Sequence, residues 1–185
     1  FDLKLHAYRL LMDEPFFAAL SRRVEKREDR SIPTAGVRVN PETAQFEMYY
    51  NPEFLAGLPE EQVRGVLKHE FYHLIFEHVT SRKPEGVNHK VWNICADLAI
   101  NSHLQGELPD MACMPGVGPF EDLPLLQSAE WYLANFPERP EDDSEGEGEG
   151  GEGSDGDGLP DSLDDHSGWD DSSASPEQQA ANQMA

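Results

Sequence analysis

Apolar residues recur every three to four positions over much of the chain, which is the spacing of amphipathic helices. The spacing predicts helices over residues 1–30, which would break into two near the middle, over residues 59–79 and over residues 89–104. A short helix over residues 128–136 would begin at Ser128, a residue type that caps helix N-termini well. The chain is therefore mainly helical.

Over residues 36–50 the pattern changes, and apolar and polar residues alternate before and after an Asn-Pro-Glu-Thr turn. This pattern predicts a β-hairpin. Its second strand, residues 45–51, is expected to be an exposed edge. Residues 106–127 are rich in Pro and Gly and should be irregular. The predicted fold class is α+β, with a small sheet packed on the helix over residues 59–79.

Charge divides the chain into two parts. The net charge is −22, and residues 140–185 hold 15 of the 36 acidic residues but no Lys or Arg. This division predicts a domain over residues 1–139, followed by a disordered acidic linker rich in Gly over residues 140–158. Residues 159–185 would form a tail segment whose apolar residues dock back on the domain and which leads towards a further, absent domain.

The composition also excludes several classes of protein. No apolar run approaches the roughly 18 residues of a membrane span. No basic patch is available to neutralise the phosphates of a nucleic acid. Cys95 and Cys113 are too few for a disulfide framework and are expected to be buried thiols. We therefore expect a cytoplasmic protein.

The strongest chemical signal is His-Glu-Phe-Tyr-His at residues 69–73, on the clearest predicted helix. Residues four apart share a helix face, so His69 and His73 can bind one zinc ion. Glu70 can accept a proton from zinc-bound water as a general base. The alternative is a pair of surface histidines on an amphipathic helix.

A catalytic zinc site usually has three protein ligands. His78 follows His73 by five residues, so on a continuous helix it would point about 140° away. Glu77 has a better angle, but one helix rarely supplies three ligands. Asp97 is the better candidate, because it shares a polar stripe with Asn93 and Asn101 on an otherwise apolar helix. A buried acid needs a partner, either a metal ion or a hydrogen-bond network.

Three segments together resemble a known family. They are residues 67–78, residues 91–101 and residues 128–133, which follow a Pro-rich loop. The sequence looks like a metallopeptidase domain of bacterial and phage proteins, over roughly residues 1–140. Asp-Asp-His-Ser-Gly-Trp at residues 164–169 also resembles the segment that follows this domain.

The resemblance implies a zincin-like fold, with His69, His73 and Asp97 as zinc ligands and Glu70 as the general base. In that family the domain usually precedes a von Willebrand factor A-like domain, and it is often encoded beside a MoxR-type AAA ATPase. The resemblance therefore implies both as partners.

Weaker signals remain. The acidic residues 155–164 resemble a calcium-binding repeat, although a solvated linker is the simpler interpretation. His166 is a candidate to cover the site or to bind the metal. Tyr132 is a candidate hydrogen-bond donor to an oxyanion. His89 and His103 are expected at the surface.

The function predicted from these observations is zinc-dependent hydrolysis of a peptide or protein substrate, which would bind in an extended conformation along the edge of the hairpin. Two alternatives stay open at this point. One is a non-catalytic scaffold that serves as an interaction module in an ATPase–von Willebrand assembly. The other is an acidic protein that buffers metal ions.

Overall fold

The computed structural model describes residues 1–40, 42–79 and 82–137. These residues form an α+β fold, in which a small sheet packs beside a layer of helices. The elements are α1 (Leu3–Asp13), α2 (Phe16–Arg23), β1 (Val24–Glu28), β2 (Ala35–Val39), β3 (Phe46–Tyr50), α3 (Pro52–Ala56), α4 (Glu60–Ile75), α5 (His89–Asn101), a 3-10 turn (Gly118–Phe120) and α6 (Ala129–Ala134). The predicted linker and tail, residues 140–158 and 159–185, lie outside the described residues.

The predicted hairpin is confirmed. β2 and β3 pair antiparallel with Val37 opposite Met48, and both side chains are buried. β2 contacts α4, so the hairpin packs on the predicted helix. The apolar residues of the alternating pattern thus lie on the face of the hairpin that packs in the core.

Two details of the predicted sheet are wrong. The strand order is β1-β3-β2, so β3 is the central strand and not an exposed edge. The extra strand is β1, which was expected to continue the preceding helix. β1 pairs in parallel with β3, with Val24 opposite Phe46. Because this pairing joins residues 22 positions apart, the local spacing of apolar residues does not reveal it.

The helices that the sequence predicts begin close to the expected residues, but α2, α4, α5 and α6 end earlier, and α3 was not predicted. Asn88 caps α5, and its side chain accepts a hydrogen bond from the backbone N–H of Val91. Ser128 caps α6 in the same way, as predicted. α4 ends at Ile75 instead of residue 79, and α5 ends at Asn101 instead of residue 104. Among the described helices, none has both the length and the apolar character needed to cross a membrane.

A close contact fixes the loop after α5 against α4. Gly65 lies so near this loop that a Cβ on it would be 1.9 Å from the carbonyl oxygen of Glu107. Three residues further along α4, the Lys68 ammonium lies 2.7 Å from Glu107 and 2.9 Å from Glu14. Burial opposes the charge of Lys68, but these two carboxylates outweigh it and raise the pKa of Lys68. These ion pairs hold α4 against the segment between α1 and α2, which contains Glu14, and against the loop after α5, which contains Glu107.

Candidate metal centre

α4 and α5 bring three donor atoms together in the core. His69 and His73 lie one turn apart on α4, and their Nε2 atoms are 2.9 Å from each other. Asp97, from α5, places its Oδ1 at 3.6 Å from Nε2 of His69 and at 3.3 Å from Nε2 of His73. All three side chains are fully buried. Together they form a group that could hold a metal ion.

The spacing of these donors fits a small tetrahedral ion. Zinc binds imidazole nitrogen and carboxylate oxygen at about 2.0–2.2 Å, so tetrahedral ligands lie roughly 3.3–3.5 Å from each other. The three distances observed here, 2.9, 3.3 and 3.6 Å, lie around this value. A buried carboxylate is also costly unless a positive charge balances it. The residues present therefore fit a divalent cation.

Asn101 determines the orientation of the His69 ring. Its Nδ2 donates to the backbone carbonyl of Cys113 at 2.7 Å, so its Oδ1 is the atom that faces Nδ1 of His69, also at 2.7 Å. Because an amide oxygen only accepts, Nδ1 of His69 carries the proton. In the neutral ring, Nε2 then presents its lone pair towards Asp97 and His73. This is how an outer partner prepares a histidine to bind a metal.

His78 is placed where the sequence did not predict it. The expectation that it points away from His73 assumed a continuous helix, but α4 ends at Ile75. Glu77 adopts a left-handed conformation with φ of 57°, which turns the chain back. The buried ring of His78 therefore lies against His73, with 3.4 Å between their Nδ1 atoms.

Glu70 is fully buried at the position after His69, and it is not one of the three converging donors. Glu77 is exposed. Cys95 and Cys113 are buried, as predicted, and they form no disulfide in the described part of the chain. Burial, together with the nearby charge of Asp97, raises the pKa of Cys95 to about 12, so its thiol is protonated at neutral pH.

The other candidates have different positions. The hydroxyl of Tyr132 donates to the carbonyl of Pro124 at 2.7 Å, which holds α6 on the loop before it, and its role towards an oxyanion stays a prediction. His103 is exposed, as predicted, whereas His89 is half-buried. His166 and the calcium-like residues 155–164 lie outside the described residues.

Sequence reasoning therefore missed the roles of two residues. Asn101 was noted only as part of a polar stripe, although its position four residues after Asp97 places it on the same face of α5. That spacing was a usable signal. For His78 the position depends on where α4 ends, and the helical pattern did not mark that point.

The comparisons with known proteins agree with this site. Residues 2–181 match the family described as "Putative metallopeptidase domain", and the chain belongs to this family. The match continues past residue 139 into the acidic region. The association with a von Willebrand factor A-like domain and a MoxR-type ATPase stays a prediction.

One similar protein is an uncharacterised protein of Thermotoga maritima. It is 29% identical over 62 residues, which are 34% of this chain and 16% of that protein. The matched stretch thus spans about a sixth of that protein's length. No solved structure matches the chain.

Proposed function

We propose that this chain is a zinc-dependent peptidase. The observation that carries the proposal is the convergence of His69, His73 and Asp97 in the core, with Glu70 next to the first ligand in the sequence. Membership of a family described as a metallopeptidase domain supports the same reaction class.

The donor set favours zinc over other common divalent ions. Magnesium and calcium prefer oxygen ligands, whereas zinc accepts two imidazoles and one carboxylate. Other transition metals also bind imidazole, so the metal is identified by analysis of the purified protein. Three protein ligands leave a fourth position for water or substrate, as catalytic zinc sites require. Bound zinc lowers the pKa of a water molecule to about 7 and polarises a carbonyl group.

Glu70 would act as the general base. Its carboxylate accepts the proton of the attacking water and then gives it to the leaving amine of the peptide. Glu70 is fully buried next to His69 in the sequence, so its carboxylate lies inside the same part of the core as the converging donors.

The strand order bears on the predicted binding of an extended substrate along the hairpin edge. β3 is paired on both sides, so it offers no edge. β2 is at one side of the sheet and contacts α4, which carries the two histidines. Binding of an extended substrate along the hairpin edge stays a prediction.

The test combines metal analysis with hydrolysis of a peptide library that is followed by mass spectrometry. The wild-type chain should bind one zinc ion, and Glu70→Gln should keep the zinc but lose hydrolysis by about 100-fold or more. Glu61→Gln is the matched control, because Glu61 is exposed on the first turn of the same helix. It should behave as wild type.

The other outcomes identify the alternatives. Tight zinc binding without hydrolysis by the wild-type chain would favour an interaction module built on this scaffold. Several weakly bound calcium ions, lost when residues 141–171 are deleted, would favour metal buffering. Equal hydrolysis by wild type and Glu70→Gln would rule out the proposed mechanism.

A further inference from the structure

The end of α4 is a defined helix-stop motif. The backbone N–H of His78 bonds to the carbonyl of His73 at 3.0 Å, and that of Glu77 bonds to the carbonyl of Leu74 at 3.2 Å. These two bonds, with a left-handed residue at Glu77, make a Schellman motif. The motif reverses the chain about one helical turn after His73 and returns His78 to that histidine.

Aromatic neighbours hold the ring of His78 in this position. Trp92, from α5, meets it edge-on at 6.0 Å between ring centroids, and Phe76 lies at 5.6 Å. The His73 ring lies at 5.5 Å on another side. Only 2% of the His78 residue is exposed, so its ring has little freedom to turn away.

The hydrogen bond between His73 and His78 limits which of their ring nitrogens can carry a proton. Nδ1 of His73 lies 3.4 Å from Nδ1 of His78, so one nitrogen donates and the other accepts. Nε2 of His73 lies 3.3 Å from the carboxylate of Asp97, at the position where a metal would bind. A ligating nitrogen must present a lone pair, so the proton of His73 has to be on Nδ1.

We propose that His78 is a positioning residue for His73: its Nδ1 accepts the Nδ1–H of His73 and directs the lone pair of Nε2 to the metal position. This inference rests on the proposed metal function. His78 does for His73 what Asn101 does for His69, so each histidine ligand has its own outer partner.

Zinc affinity, measured by competition with a chelator, tests this role. His78→Phe keeps a ring of similar size but removes the acceptor, and it should weaken zinc binding roughly 10- to 100-fold. His78→Gln keeps an acceptor and should recover part of the affinity. The matched control is His103→Phe, because His103 is exposed and contacts Phe76 in the same aromatic group, and it should bind zinc as wild type does.

A second measurement needs no variant. In the zinc-loaded wild-type chain with nitrogen-15 in its histidines, an N–H···N bond gives a scalar coupling between Nδ1 of His73 and Nδ1 of His78. Observation of this coupling, with the proton on His73, is the expected result. A proton on Nδ1 of His78 would overturn the inference even if His78→Phe failed to fold.

The results separate the two proposals. If wild type binds no zinc, the proposed function fails and this inference fails with it. If wild type binds zinc and His78→Phe binds it equally well, the proposed zinc site stands and the role of His78 is wrong.

Discussion

Asn101 accepts a hydrogen bond from His69 across two helices, with 2.7 Å between its Oδ1 and Nδ1 of the imidazole. The same amide donates to the carbonyl of Cys113, so one side chain joins α4, α5 and the loop that follows. Because both groups of the amide are used, the side chain cannot rotate without losing a buried hydrogen bond. The orientation of His69, the first proposed metal ligand, is thus set by a residue that is not one of the three converging donors.

We predict that Asn101→Leu weakens zinc binding roughly 10- to 100-fold, because His69 loses the acceptor that fixes its tautomer. Asn101→Asp keeps the acceptor and should retain more affinity than Asn101→Leu. Chelator competition measures both variants below their unfolding temperatures. Equal affinity in the two variants would show that the hydrogen bond to His69 does not prepare the ligand.

We predict that Asp97→Ala weakens zinc more than any change at His78. Asp97 places its oxygen among the converging donors, whereas His78 is not one of them and lies with its Nδ1 3.4 Å from Nδ1 of His73. The loss should exceed the roughly 100-fold limit expected for an outer partner. If Asp97→Ala binds zinc as wild type does, Asp97 is not a ligand.

Gly65→Ala should destabilise the domain. In an exposed helix this change stabilises by about 1 kcal/mol. Here the added Cβ meets the carbonyl oxygen of Glu107 at 1.9 Å, and relief of that overlap should cost about 1–3 kcal/mol. Urea unfolding measures the difference, and Gly57→Ala is the control because its new Cβ finds only ordinary contacts of 3.4 Å or more. Equal stability of the two variants would show that the loop moves away easily.

Glu77 offers a test of the helix stop. Glu77→Gly should raise the melting temperature, because glycine adopts the left-handed conformation without the cost of about 1 kcal/mol that other residues pay. Glu77→Val should lower it, since a branched side chain fits this conformation poorly. The same variant should weaken zinc, because the turn at Glu77 places His78 against His73. A melting temperature unchanged by both substitutions would show that the turn carries no strain.

Glu47 should make stability depend on pH. Its carboxylate is 1% exposed on the central strand. Burial alone would raise its pKa, but hydrogen bonds from Asn40, Tyr49 and Arg38, with the charge of Arg27, outweigh burial and lower it. The folded pKa is therefore below the unfolded value of about 4.3. The stabilisation is present above that unfolded value and is lost as pH falls through the folded pKa.

Glu47→Gln tests this dependence, because the amide cannot ionise. At pH 7 the variant should be less stable than wild type, and the difference should shrink as the pH falls below about 4. Glu42→Gln, at an exposed position of the hairpin turn, is the matched control. Urea unfolding at several pH values gives the comparison. A difference that stays constant with pH would show that the ionised form of Glu47 adds nothing.

Features that depend on residues close together in the chain can be predicted from the pattern of residue types alone. Helical spacing predicted α4 and α5, and the interval of four residues placed His69 and His73 on one face. Alternation predicted the hairpin of β2 and β3. The polar stripe on an apolar helix indicated Asp97, because a buried acid requires a partner. Each of these inferences depends only on the spacing of residue types along a single helix or hairpin.

Features that depend on contacts between distant residues appear only in the folded chain. β1 is a strand because β3 supplies its hydrogen-bond partners, and this pairing also makes β3 the centre of the sheet. His78 faces His73 because α4 stops at Ile75, although glutamate is an unfavourable residue for the left-handed position that follows. These contacts form because packing of the whole core stabilises the fold. The free energy gained from packing exceeds the local conformational preferences, which are about 1 kcal/mol per residue.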